Sequence, residues 1–372
     1  MGTRWRVPAL GALALILAGA CSVPGTGAAK SPAPLASSSR TSSPSASPAQ
    51  SPSPEPVAGA FGVLVSSLSS SSYTVSLVGV DGRVVASQLA NTPGTVTCGG
   101  TAAGVVPAPV STSNTRAYFM DALGVVRYLA PNGDTGQTIT LPIGPARRSL
   151  FAVSPDDALM AVVVVDFQQG GATTRLYMYQ LQSGGAQLLL FSQSGAYTLW
   201  PTGWHGTTNL VLAKVPACTQ GGGPFSAAPQ ELHVVDPKTA VRRFIVGGPT
   251  CVIAGPPSPA GAVCEDTAAF AQAKVLDWTG ATTHSYPISG ATPALISPDG
   301  TLVAIAAYGA PTTTLLPTNA AVNLAACGWI DSTHLLSGGD VQHQPSVGDI
   351  TTGQVVPVAA QGDCAGRIPG GW

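Results

Sequence analysis

The chain is short of charge. Of its 372 residues, 9% are Asp, Glu, Lys or Arg, against roughly 25% in an average soluble protein. The 16 basic and 17 acidic residues leave a net charge of −1. There is no basic field to condense on phosphate, which argues against nucleic acid as a partner, and no acidic block. Only three acids are Glu (Glu55, Glu231 and Glu265), and the five His are scattered: His205, His233, His284, His334 and His343. Acid–base catalysis needs such groups gathered in a pocket, so their scarcity weighs against an enzyme. The sequence contains no H-E-x-x-H, G-x-S-x-G, P-loop or C-x-x-C pattern, and no calcium loop of the D-x-D-x-D-G type. No metal and no cofactor is expected. Helical periodicity is also hard to find.

What is plentiful is Gly (44) and Pro (33), with many Ser and Thr. That mixture suits short strands joined by tight turns.

The first 58 residues read as an address and a spacer. Arg4 and Arg6 precede an apolar run from Val7 to Ala20. Fourteen residues at about 1.5 Å each span about 21 Å, short of a bilayer core of about 30 Å. The run therefore suits a signal-peptide core better than a permanent membrane helix. Its end, Leu17-Ala18-Gly19-Ala20-Cys21-Ser22, resembles the bacterial lipobox, with Ala18 where Leu or Val is commoner. The resemblance implies cleavage after residue 20 and a diacylglyceryl group on the Cys21 thiol; the alternative is an ordinary secretory peptide. Residues 21–58 are then a Ser-, Pro- and Ala-rich linker with almost no bulky apolar residue. It cannot bury enough surface to offset its ordering entropy, so disorder is expected. As a polyproline-like stalk it would reach on the order of 100 Å.

Residues 59–372 change character, with β-branched and alternating apolar runs such as Ala161-Val162-Val163-Val164-Val165. Two near-repeats recur. One is a strand entering a turn and returning: Ser154-Pro155-Asp156-Asp157 and Ser297-Pro298-Asp299-Gly300, with a worn copy at Ser258-Pro259-Ala260-Gly261 and variants at Gly203-Trp204 and Gly328-Trp329. Pro presets φ, and Asp or Gly tolerates the unusual backbone. The other is a later hairpin, turning near Asp81-Gly82, Asn132-Gly133, Ser183-Gly184, Asp236-Pro237, Thr279-Gly280, Pro317-Thr318-Asn319 and Thr352-Gly353. Units of roughly 35 to 55 residues, seven in all, suggest a repeat architecture. The Ser-Pro-Asp-Gly turn before an apolar strand resembles the WD-repeat-like blades of bacterial extracytoplasmic β-propellers, the propeller of the Tol–Pal system among them. The resemblance implies an all-β propeller of seven four-stranded antiparallel blades, with six or eight blades or a pair of β-sandwiches as alternatives.

Six cysteines follow Cys21: Cys98, Cys218, Cys251, Cys264, Cys327 and Cys364. An even number in an exported chain reads as disulfides. On a propeller, Cys327 and Cys364 would staple the last blade. Cys251 would meet either Cys264, across a turn, or Cys218; Cys98 has no evident mate.

Asp166, Glu265 and Asp266 end apolar strands and are the candidates for acids at a central channel. Trp200 and Trp204, near Tyr197, are candidate stacking residues for sugars, with blade-to-blade packing as the other reading. The loop from Val215 to Gln230 is the one long insertion and a candidate partner contact. Together these features point to a monomeric, membrane-anchored, extracytoplasmic binding or scaffold module for an envelope protein or glycan. A hydrolase or lactonase is the alternative; it requires three or more of Asp166, Asp266, Glu265, His205, His233 and His343 to converge. The anchor has a direct check: Cys21→Ser should abolish labelling by radioactive palmitate, and unchanged labelling contradicts it.

Overall fold

The computed structural model describes residues 57–372 apart from 67–70, 99–101, 105–109, 183–186, 218–224, 226–230, 291, 307–309 and 341. The leader, Cys21 and almost all of the linker lie outside the described residues, as do Cys218, the Cys98 side chain and most of the loop from Val215 to Gln230.

Seven four-stranded antiparallel sheets stand as blades in a ring. Six of them are contiguous in sequence, with strands ordered from the centre outwards. Blade 2 begins at Val110–Thr112, blade 3 at Arg147–Val153, blade 4 at Tyr197–His205, blade 5 at Cys251–Ile253, blade 6 at Ala294–Ile296 and blade 7 at Ala326–Trp329. Blade 1 is composite. Its outer strands are Phe61–Val65, Ser72–Gly79 and Val84–Asn91, and its inner strand is Asp363–Ile368. The two ends of the folded chain thus close the ring by pairing with each other. A short hairpin, Val96–Cys98 with Ala102–Gly104, falls between blades 1 and 2 in sequence, and its Val96 packs into the core cluster of blades 3 and 4.

The apolar runs are explained by where the core lies. Each sheet packs against a neighbour on both faces, so the covered part of a middle strand is apolar on both sides, as in other strands covered from both sides. Along Leu159–Gln168 in blade 3, Ala161, Val163 and Val165 join a cluster with blade 4, whereas Met160, Val162 and Val164 join one with blade 2. In blade 1, Val63 and Val65 face blade 2 while Leu64 faces blade 7. The core is therefore divided into wedges between blades. Each fully buried Val or Leu contributes about 1.5–3 kcal/mol relative to exposure.

Polar groups tie the wedges together at the turns. In the Ser-Pro-Asp-Gly turns, the buried Ser154 and Ser297 hydroxyls donate to Asp156 and Asp299 (both 2.6 Å) and accept the N–H of Leu159 and Leu302 (2.9 and 3.0 Å). Gly300 takes a positive φ of 76° in the second turn; Asp157 takes 57° at the same place in the first. Asp157 gives something Gly cannot: its carboxylate accepts the hydroxyls of Thr115 (2.7 Å) and Tyr118 (2.6 Å) from blade 2. The Gly-Trp units act in the same way. Trp204 Nε1–H donates to the Ala152 carbonyl of blade 3 (3.2 Å), and Trp329 Nε1–H to Leu295 of blade 6 (3.0 Å).

The later hairpins join the third and fourth strands of each blade, as their spacing predicts, and six of the seven turns are described. Positive φ falls at Gly82, Gly133, Ala240, Gly280, Asn319 and Gly353.

Two disulfides form. Cys251 and Cys264 bridge the first and second strands of blade 5, with Cα atoms 5.2 Å apart. Cys327 and Cys364 also pair, at 5.6 Å, but they do not staple the last blade within itself. Cys364 belongs to the closing strand of blade 1, so the bond stitches blade 7 to blade 1 across the closure. It spans 37 residues against 13 for the other bond. Loop-entropy arguments put its removal by double Ala substitution at about 4 kcal/mol, against about 3 kcal/mol for Cys251 and Cys264. Urea unfolding of the two variants checks the order, and an equal or reversed loss contradicts it.

Candidate functional site

The acids and histidines singled out from the sequence do not meet at the channel. Glu265 is buried and accepts the Thr292 N–H (3.0 Å) and hydroxyl (3.3 Å), which tie it to the connection between blades 5 and 6. Burial raises its pKa, and these bonds offset the shift only in part. Asp266 organises the next turn by accepting the N–H groups of Ala269, Ala271 and Gln272 (2.9–3.0 Å). The Ala269 bond and its companions hold that carboxyl below its ordinary range. His205 bonds the Trp372 main-chain oxygen (2.8 Å) and stacks on Trp278, with ring centroids 4.8 Å apart. His343 lies exposed, 3.5 Å from Asp340. Each group serves a different local structure. Among the described residues, no three His, Cys, Asp or Glu stand together as a metal-holding set.

Trp200 and Trp204 are interior residues in the wedge around blade 4. Their rings are not open to a sugar; packing accounts for both.

Asp166 and His233 each lie beside an open cleft, on opposite sides of blade 3. Asp166 sits near the end of the second strand of blade 3 and receives both Arg147, directly opposite on the first strand, and Arg175 from the third (Nη1, 2.5 Å). Burial raises its pKa, but hydrogen bonds and charge from Arg147 and Arg175 outweigh that and keep it ionised. The adjoining cleft, of about 450 Å³, lies between blades 2 and 3. Thr140, Leu141 and Pro142 line one wall; Arg147, Val164, Arg175, Tyr177, Tyr179 and Gln187 line the other.

A second cleft of similar size, about 430 Å³, lies on the other side of blade 3, against blade 4. Its polar centre is Glu231, which accepts hydrogen bonds from Lys214 Nζ (3.2 Å) and His233 Nε2 (2.8 Å). Lys214 also lies over the Tyr197 ring at 5.1 Å, and Arg242 completes the rim. Between the clefts, the outer strand Gln187–Gly195 carries no charge, and Leu188 and Leu189 are 57% and 51% exposed. Tyr197, Val241, Phe244 and Ile245 of blade 4 are exposed as well. Blades 3 and 4 therefore line these two clefts and carry six of the ten large exposed apolar residues among the described residues.

Sequence reading singled out Asp166, His233 and the environs of Tyr197 but passed over Arg147, Arg175, Lys214 and the paired leucines. A signal was available in Arg175-Leu176-Tyr177-Met178-Tyr179, where period-two alternation puts three large polar side chains on one strand face.

No family model and no curated protein matches the chain. Among solved structures it is similar to a chain of a mitotic checkpoint complex, at 12% identity over 75% of this chain and 85% of that one, TM-score 0.44. It is also similar to BamB from Moraxella catarrhalis (15%, 86% of each chain, TM-score 0.37). A third is prolyl oligopeptidase B from Galerina marginata (11%, TM-score 0.42), of which it covers 47% against 79% of itself. Identities and scores this low assign neither ligand nor activity; the propeller rests on the sheets and registers above.

The Glu231 cluster makes stability depend on pH. Burial pushes His233 below its ordinary 6.5, only partly opposed by Glu231. Burial raises Glu231, but His233 and Lys214 bring it below its ordinary 4.5. Both groups bind protons more weakly folded than unfolded, so both contributions are complete above the unfolded values and fade as pH falls through the folded ones. The melting temperature should drop below about pH 6.5, and His233→Gln should flatten the first part of that drop. An unaltered profile in the variant contradicts this.

Proposed function

We propose that the protein is a lipid-anchored extracytoplasmic binding module whose working surface is the outer part of blades 3 and 4. The observation that carries the reading is the concentration, among the described residues, of two clefts and six exposed apolar side chains on and beside two neighbouring blades. Apolar patches of this kind mark sites of association. A protein partner fits better than a glycan, because aliphatic Leu188, Leu189, Val241 and Ile245 outnumber the exposed rings of Tyr197 and Phe244, and Trp200 and Trp204 are buried. The lipobox-like Leu17–Cys21 and the Pro-rich residues 21–58 support tethering at the outer face of a cell membrane, with the propeller held away from the bilayer. Two or more acyl chains on Cys21 would hold it stably.

The test is affinity capture from envelope extracts with the full chain beside a Leu188→Asp, Leu189→Asp double variant. Both positions are exposed, so the variant should melt within about 2 °C of the parent and lose at least about tenfold of the captured partner. Equal capture by a folded variant contradicts the proposed surface.

A further inference from the structure

The cleft between blades 2 and 3 comes from a mismatch in strand length. The two middle strands of blade 3, Leu159–Gln168 and Gly171–Gln180, have ten residues each; those of blade 2, Ala117–Met120 and Val125–Leu129, have four and five. At about 3.3 Å per residue, blade 3 has extra length on the order of 15 Å. Its face towards blade 2 changes character along that length. Met160, Val162 and Phe151 are apolar where blade 2 covers them, and Asp166, Arg147 and Arg175 follow further along the same face.

The charge there does not balance. Two guanidinium groups share the single carboxylate of Asp166, leaving one positive charge uncompensated. Each guanidinium has five N–H donors, and among the described residues only Arg147 Nε and Arg175 Nη1 are engaged. Both side chains are partly open to solvent. Alternate positions Arg175, Tyr177 and Tyr179 project from one strand face with a repeat of about 6.6 Å, which is also the repeat of side chains along one face of an extended peptide. Neither tyrosine hydroxyl has a hydrogen-bond partner among the described residues; Tyr177 is half-buried, whereas Tyr179, Leu141 and Val164 are buried and form the floor, and Pro142 supplies exposed apolar surface at the rim. Carboxylates fit guanidinium pairs through parallel, charge-assisted hydrogen bonds.

We propose that this cleft binds an extended acidic segment of the partner protein, with an Asp or Glu carboxylate seated on Arg147 and Arg175 and the neighbouring residues lying along Tyr177 and Pro142. The proposal rests on the binding role assigned above and names the chemistry of what is bound.

Fluorescence anisotropy on the detergent-solubilised full chain tests it, using an eight-residue peptide of alternating Glu and Val and its Gln-for-Glu counterpart. The Glu peptide should bind about tenfold more tightly, and Arg175→Ala should remove that preference. Asp166→Asn removes the competing carboxylate and should tighten the Glu peptide by about threefold or more, a gain that a purely structural role for Asp166 does not produce. Thermal melts of each variant establish that it is folded, and Arg175→Lys, which keeps the charge, should retain part of the preference. Equal affinity of the parent chain for the two peptides overturns the proposal. So does preferential binding of an oligouronate, which would assign the cleft to an acidic glycan. If the Glu peptide shows no preference while the Leu188, Leu189 variant still loses its partner, the acidic-segment proposal fails and the binding role stands.

Discussion

Every sheet in this molecule has two apolar faces, and everything else depends on burying both. A sheet of four short strands cannot do so alone or in a single pair. It needs a neighbour on each side, and the arrangement that gives each of seven sheets two neighbours is a closed ring. Closure is the costly step, because it joins segments some 300 residues apart against loop entropy. The pairing of Asp363–Ile368 with Phe61–Val65 performs it, and the Cys327–Cys364 bond fixes the joint on its other side, to blade 7. Within the ring, Trp204, Trp329, Tyr118 and Asp157 hydrogen-bond from blade to blade at the turns, where backbone groups would otherwise be left between wedges.

Once the ring is set, variation is tolerated where it does not disturb the wedges, in the outer strands and beyond the ends of the shorter blades. Blades 3 and 4 vary there. The ten-residue middle strands of blade 3 are longer than the middle strands of blade 2 and than the third strand of blade 4, and the clefts lie on either side of blade 3. Charge, scarce in this chain, appears in those spaces as Arg147–Asp166–Arg175 on one side and Lys214–Glu231–His233 on the other.

The architecture was legible because its requirements are local. A hairpin turn needing positive φ selects Gly or Asn, so Gly82, Gly133, Gly280, Asn319 and Gly353 marked the blades; Ala240, which takes the same conformation, left no such mark. The Ser-Pro-Asp-Gly turns were legible for the same reason. Closure was not legible, because Cys364 follows blade 7 in sequence and only the three-dimensional pairing assigns its strand to blade 1. The clefts were hidden because they depend on the lengths of strands in adjacent blades, a property of no single segment. Asp166 stood out as an acid ending an apolar strand, but its meaning came from Arg147 across one strand pair and Arg175 across another. Trp200 and Trp204 show the reverse: conspicuous residues whose work is packing.

The central claim is that recognition is concentrated on blades 3 and 4, and its most direct test is a photocrosslinking scan in intact cells. A photoreactive residue placed in turn at Leu188 and Phe244, and at Leu89 of blade 1 and Leu123 of blade 2, compares exposed apolar positions across the ring. The account predicts one discrete crosslinked species from positions 188 and 244 and none from 89 and 123. Equal crosslinking from all four positions, or crosslinking confined to blades 1 and 2, would contradict it.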